Sequence, residues 1–387
     1  MTHQIVWEEN GQSESRNWIS QSHLSPPKKI LTADDTLKAD VFYQSASQGS
    51  AFLWRGDFQN AKQLLQAVER RIESQASRKK TTDIKSPKDL FHQHRQAQAH
   101  RAQLLSRLLI EIEPDLSIDL GRAPDAADAI RGALGAQLDD ATNDNGFSGA
   151  GFVMSLRELL GFIGANEWRK KGVLIPVLEG SIHPHYGVFS PVRGEYLDLV
   201  AKAALPSPLG RAFDIGTGTG VIAALLAKRG VKNIIATDLS PQALACATDN
   251  LARLGLSKHV TLEKTDLFPE GLADLIVCNP PWVPARATSA VEQAVYDEDS
   301  RMTKAFLASV AAHLSDHGEA WLVMSDLAEH LGLRAKEDLE SWITAGGLKV
   351  LNRLETQPRH SKAHAGDDLL YQARAKEITS LWQLKKI

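Results

Sequence analysis

Phe213-Asp214-Ile215-Gly216-Thr217-Gly218-Thr219-Gly220 is the stretch that decides the fold. An apolar run ends in an acid and then in alternating glycines, and the run Val221 to Lys228, free of Gly and Pro, follows at once. That is a strand, a tight turn and a helix. Glycines let the backbone turn sharply and let a ligand approach the main chain. The dinucleotide fingerprint G-x-G-x-x-G seats a pyrophosphate at the helix N-terminus. Here the glycines stand at 216, 218 and 220, and position 221 is Val. Asp214, just inside the strand, would repel a pyrophosphate but suits a cationic ligand.

Outward from this turn, strand patterns alternate with helical ones. The strand runs are Arg211 to Ile215, Asn233 to Thr237, Val260 to Glu263, Leu272 to Cys278, Glu319 to Met324, Leu348 to Leu354 and Glu377 to Leu384. Such alternation predicts an α/β, Rossmann-like, doubly wound and mostly parallel seven-stranded sheet covered on both faces. The second strand ends at Asp238-Leu239, about 20 residues past the first glycines, where an acid is placed to accept protons from both hydroxyls of a ribose. The third runs to Asp266-Leu267, positioned for an adenine amino group and the face of its ring. The fourth ends in Asn279-Pro280-Pro281-Trp282.

Asp214 to Gly220, Asp238, Asp266 and Asn279 to Trp282, in this order and spacing, resemble the class I S-adenosylmethionine-dependent methyltransferases. They are most similar to the amino-methylating branch with Asn-Pro-Pro and an aromatic: the glutamine N5-methyltransferases of the HemK/PrmC type, the adenine N6-methyltransferases, and the rRNA guanine N2-methyltransferases with a methyltransferase small domain. The resemblance covers roughly Ser190 to Ile387. It implies S-adenosyl-L-methionine as cofactor, held by Asp214, Gly216, Thr217, Gly218, Gly220, Asp238, Leu239, Asp266, Leu267 and Asn279. It implies transfer at Asn279, Pro280, Pro281 and Trp282.

These residue types suit the chemistry. An amide or exocyclic amino nitrogen is planar, with a delocalised lone pair. The Asn279 side-chain oxygen and the Pro280 carbonyl can each accept one N–H, drawing the nitrogen toward tetrahedral geometry and aiming its lone pair at a methyl carbon. Pro280 and Pro281 remove two donors and stiffen the loop. Trp282 offers a flat face for an amide or a base, where Tyr or Phe is commoner in the branch. Ahead of the glycine turn, Phe189, Ser190 and Glu195 precede or open a helix at Tyr196 to Ala204; in related enzymes such residues close over the methionine end of the cofactor. Ala285 to Ser300 has the length of a lid over the acceptor, and the basic loop Arg359 to His364 lies between the last two strands.

Residues 1–40 are polar, carry Ser25-Pro26-Pro27-Lys28-Lys29 and read as a loose leader. Residues 41–172 read as a mostly helical domain: apolar residues recur at helical spacing from Val41 to Ile72 and again from Pro87 to Ile112. Residues 173–193 read as a β-hairpin connector, with the methyltransferase domain at 194–387. Arg55 to Arg107 holds twelve Lys or Arg against five Asp or Glu, and Leu108 to Asn145 holds two against nine. The basic half suits RNA or an acidic protein surface; two solvated helix faces that partly pair with each other are the alternative.

Across all 387 residues the formal net charge is -3, so polyanion contacts must come from local patches. Two cysteines, Cys246 and Cys278, write no disulfide framework or cysteine-rich zinc site, and a reduced cytoplasm suits them. His92-Gln93-His94 and His183-Pro184-His185 lack partners at metal-ligand spacing, so no metal is expected. With no signal-like start and no run of about 18 apolar residues, no membrane role is expected either. The expected function is N-methylation, of protein glutamine ahead of rRNA or tRNA amino groups, with the N-terminal domain selecting the partner. A small-molecule acceptor and a non-catalytic binding protein are further alternatives, and the intact Asp214, Asp238 and Asn279 speak against the latter.

Overall fold

Ala212–Ile215 and Ala273–Cys278 are apolar on both faces, and the structure buries them in the middle of a parallel sheet, where such runs belong. The computed structural model describes residues 3–78, 86–135, 138, 151–192, 194–287, 290–358 and 370–387. The chain forms two compact units, residues 1–84 with 92–167 and residues 85–91 with 168–387.

The first unit holds β1 (His3–Glu9), β2 (Gln12–Trp18), β3 (Lys29–Ala33), β4 (Ser50–Trp54), β5 (Leu108–Ile112) and β6 (Phe152–Ser155), in the sheet order β1-β2-β6-β5-β4-β3. This corrects two expectations. The polar first 40 residues are not a loose leader: they contribute three strands, and Ile5, Trp7 and Trp18 pack in a cluster with Leu53, Leu109 and Val153. Nor is the unit mostly helical. Phe52, Leu53 and Trp54, read as helical, form fully buried β4, and the run ending at Ile112 stops its helix at Leu105 before β5. Short buried strands carry continuous apolar runs, which periodicity alone does not separate from buried helix.

The second unit opens with the antiparallel pair β7 (Val173–Ile175) and β8 (Gly180–Ile182), joined through the single 3-10 turn Pro176–Leu178. The hairpin expected over residues 173–193 thus ends at Ile182. Then come β9 (Ala212–Ile215), β10 (Ile234–Asp238), β11 (Val260–Lys264), β12 (Ala273–Cys278), β13 (Leu314–Ser325), β14 (Leu348–Thr356) and β15 (Thr379–Lys386). All seven expected strands are present, in the order β11-β10-β9-β12-β13-β15-β14, with β11 to β13 parallel and β15 antiparallel to both neighbours. Strand alternation divides the core. Leu275, Val277, Trp321 and Val323 face the helices Glu195–Lys202 and Val221–Lys228, while Phe213, Ile215, Ile276, Cys278 and Leu322 face Arg301–His313 and Asp338–Ala345.

Candidate functional site

In an open parallel sheet, ligands bind beyond the carboxyl ends of the strands where the order reverses. Here that point lies between β9 and β12. Gly216, Gly218 and Gly220 follow β9 with φ of 70°, 54° and 78°, the left-handed region that L side chains avoid. A Cβ at Gly220 would stand 3.1 Å from the Ala247 Cβ, whereas one at Gly218 would meet nothing within 4 Å: the turn is packed beneath and open above.

Gly220→Ala is therefore expected to lower the unfolding free energy by about 1–2 kcal/mol from backbone strain alone. Gly164, inside the helix Leu156–Lys171 with no atom within 4 Å of a would-be Cβ, should gain about 1 kcal/mol on the same change. Opposite shifts in urea midpoint would verify both.

Two carboxylates hold the turn. Asp214, 1% exposed, accepts the Thr217 hydroxyl at 2.6 Å and the Ala223 N–H at 3.0 Å through Oδ2. Its Oδ1 is buried with no hydrogen-bond partner, and burial, with the Asp238 charge adding to it, pushes the carboxyl up to about 6. Asp238 accepts the Gly218 N–H at 3.0 Å and the Ser240 N–H at 2.9 Å, one on each oxygen. Leu239, next in the chain, and Asp266, after β11, are exposed. Leu267 is half-buried in the left-handed region at φ 61°, with its carbonyl accepting the Thr237 hydroxyl at 2.6 Å.

Cys278 pairs with Ile215 in register, so Asn279 leaves β12 at the level where Gly216 leaves β9, one strand spacing of about 4.8 Å away. The indole N–H of Trp282 donates to Asn279 Oδ1 at 3.0 Å, and burial raises the pKa of the Tyr196 hydroxyl, an effect that the Asn279 side chain partly offsets. Glu195 and Tyr196 are both buried at the start of their helix. Phe189 is half-buried after Val188, which packs on Ala243 and Cys246. The Ser190 hydroxyl is buried without a partner.

The lid reading of Ala285 to Ser300 changes at its far end. Val283 bridges Tyr296, and Asp297 donates its N–H to the Val283 carbonyl at 2.9 Å while its carboxylate takes the N–H groups of Met302 and Thr303. That end is pinned to the turn and caps a helix, rather than hanging over it. Two residues escaped the sequence reading. Met302 reaches over Gly216, where a Cβ would stand 2.9 Å from its terminal methyl. Asn250, fully buried, donates to the Thr219 carbonyl at 3.0 Å and accepts the His183 N–H at 2.8 Å, tying the turn to the segment before it. Neither carries a pattern that single-sequence reading detects. The loop Arg359 to His364 lies outside the described residues.

His183 Nδ1 lies 2.6 Å from the Arg169 carbonyl, and His185 Nε2 lies 2.9 Å from Asp249. Among the described residues no three His, Cys, Asp or Glu side chains converge as metal ligands, and no helix is long and apolar enough to cross a membrane. Burial raises both thiols, Cys246 to about 11 and Cys278 well above the ordinary range, so they stay protonated at neutral pH.

Residues 179–342 match the family model of the methyltransferase small domain. With the strand order above, this gives the second unit the fold of the class I S-adenosylmethionine-dependent methyltransferases. Among curated proteins, the chain is 47% identical over 94 residues to a release factor glutamine methyltransferase from Cereibacter sphaeroides, covering 23% of this chain and 34% of that one. It is 39% identical over 92 residues to a ribosomal protein uL3 glutamine methyltransferase from Bordetella pertussis, 23% of this chain and 31% of that one. It is 31% identical over 165 residues to a ribosomal RNA small subunit methyltransferase C from Alcanivorax borkumensis, 41% of this chain and 46% of that one. The chain thus spans about a third of the length of the first two.

The residues present fit the cofactor. Asp214 Oδ1 is a buried acceptor lacking a partner, and the space above Gly218 is open. Each Asp238 oxygen has a lone pair left after its backbone contact.

Proposed function

We propose that the protein is an S-adenosylmethionine-dependent N-methyltransferase acting on a planar nitrogen, with the glutamine amide of a protein as acceptor. The observation that carries this reading is the level placement of Asn279 beside Gly216 on adjacent strands, which puts an amide acceptor next to a turn built for a cation. S-adenosylmethionine supplies an electrophilic methyl carbon on a sulfonium. Asp214 holds negative charge beneath the turn, and Asp238 binds the ribose hydroxyls. Asp266 and Leu267 meet the adenine, while Phe189 and Glu195 close the methionine end. Asn279 Oδ1 and the Pro280 carbonyl accept the two N–H groups of the acceptor, so its lone pair turns toward the methyl group. Trp282 lines the acceptor side.

Glutamine stands first because two of the relatives, at 47% and 39% identity over their matched stretches, carry glutamine in their names. The second reading, an rRNA amino group, draws on the longer overlap with the rRNA enzyme. The basic segment lends it less than its charge suggests. Arg55 pairs with Glu9 and Glu111, Arg71 with Asp40, and Arg101 with Glu69 and Glu73. The first unit is assigned substrate selection.

Labelled methyl transfer from S-adenosylmethionine into a lysate lacking the protein tests this reading. Label that resists RNase and is lost with protease supports a protein amide. Loss with RNase moves the acceptor to RNA, and no incorporation overturns the activity.

The Asp214 carboxyl gives the reaction a pH signature. Its value is raised from 3.8 to about 6, so its contribution to fold stability is present below about 3.8 and lost as pH rises through 6. A cationic ligand favours the ionised form. Affinity for S-adenosylmethionine is therefore expected to be full above pH 6 and to fall below it. Calorimetry from pH 7.5 to 5 would read this, with Asp214→Asn giving a flat, weaker profile.

A further inference from the structure

Every polar group of Asp297 is engaged. This residue, 8% exposed, donates its N–H to the Val283 carbonyl at 2.9 Å and accepts the Ser300 N–H on its own carbonyl at 2.8 Å. Its two carboxylate oxygens accept the N–H groups of Met302 at 3.0 Å and Thr303 at 3.2 Å. The last three bonds close over Asp299 and Ser300, which stand at φ of 58° and 53°, successive left-handed residues that both carry side chains. A backbone so bent persists only where its surroundings over-determine it. The bend sets the start of the helix Arg301–His313 so that Met302 meets Gly216. No Cβ fits between them: one on Gly216 would stand 2.9 Å from the Met302 terminal methyl.

We propose that Asp297 and Met302 form a strut between the two halves of the site, holding the glycine turn and the Asn-Pro-Pro corner at the separation that methyl transfer needs. This rests on the reading of Asn279 and the glycine turn given above. One end of the strut is Val283, the residue after Trp282. The other is Gly216, which leaves β9 level with Asn279 on β12. A methyl carbon and its acceptor nitrogen react when held about 3–3.5 Å apart and in line, and a small misplacement caused by a residue away from the chemistry costs rate. Both are positioning residues, since neither has to touch substrate. Methionine suits its place because an unbranched thioether fills an irregular gap, and Gly216 supplies the gap.

Met302→Ala removes one end of the strut. It is expected to lower kcat about tenfold on the lysate fraction that the wild-type protein labels, with affinity for S-adenosylhomocysteine within about threefold. Met302→Leu, close in volume, should recover kcat to within about threefold of wild type. Asp297→Asn keeps one acceptor oxygen and turns an NH2 toward a backbone N–H, and should match Met302→Ala. The chain has four methionines, so its 13C-methyl spectrum is sparse, and the resonance missing in Met302→Leu assigns Met302. Adding S-adenosylhomocysteine to the wild type should move that resonance. Wild-type kcat in Met302→Ala, equal losses of kcat and affinity, or a leucine variant no better than alanine overturns the proposal. If S-adenosylhomocysteine binds by calorimetry and no acceptor is labelled, the transfer reading fails by itself, and the Met302 methyl decides the strut: a resonance that the bound ligand leaves unmoved overturns it. Absence of binding removes the cofactor reading and the strut with it.

Discussion

Asn279→Ala is expected to leave S-adenosylmethionine affinity within about threefold and to lower methyl transfer by about 100- to 1,000-fold, the scale of losing one preorganised hydrogen-bonding group at a reacting centre. The two effects separate because the groups that hold the turn are others. Asp214 caps Thr217 and Ala223, and Asp238 holds Gly218 and Ser240. Removing the amide also takes away the acceptor of the Trp282 indole N–H, whose ring keeps its apolar packing. Stability should fall by only about 1–2 kcal/mol. Binding by calorimetry and transfer from labelled cofactor, measured on the same preparation, give the comparison. Equal losses in both would remove Asn279 from the transfer step.

Asp238→Ala should do the reverse, weakening cofactor affinity about 100-fold. Hydrogen bonds to a charged acceptor are worth about 1.5–3 kcal/mol each, and two ribose hydroxyls would lose theirs together. The loss compounds locally, since the same carboxylate accepts the Gly218 and Ser240 N–H groups and so shapes the surface that the ligand meets. Asp238→Asn separates the contributions: one oxygen remains, while the new NH2 faces a backbone N–H that had an acceptor. An intermediate affinity is expected. Unchanged affinity in the alanine variant would take Asp238 out of the ribose site.

What was legible in the sequence follows a physical divide. The second unit could be read because parallel strands buried on both faces are continuous apolar runs, and each of the first four is punctuated by residues with a chemical reason to be there: glycines at positive φ, Asp238, Asp266 and Asn279. The first unit hid its strands. In β2, Gln12–Trp18, all of the first five residues are outside the core, so it reads as polar linker. Yet Asn10-Gly11 between Ile5-Val6-Trp7 and Trp18 is a hairpin signature, and both residues take the left-handed φ, 52° and 78°, that such a turn requires. Within the site, the acceptor residues were visible as types. The contacts around them were not: Asn250 lies 31 positions after the Thr219 carbonyl it binds, and nothing in its neighbours announces a buried partner.

The order of the last three strands bears on how the second unit can be made. β15 lies between β13 and β14, so β14 has no sheet neighbour until residues 379–386 arrive. A ribosome delivers β9 to β12, with the glycine turn and Asn-Pro-Pro corner, well before that. During this interval the β13 edge, carrying Trp321 to Ser325, offers unpaired backbone groups flanked by apolar side chains, the kind of template that another chain can pair with. Nascent chains halted after β14 would thus own every proposed catalytic group and still expose an adhesive edge. Their fate rests with chaperones and proteases more than with the chemistry of the site.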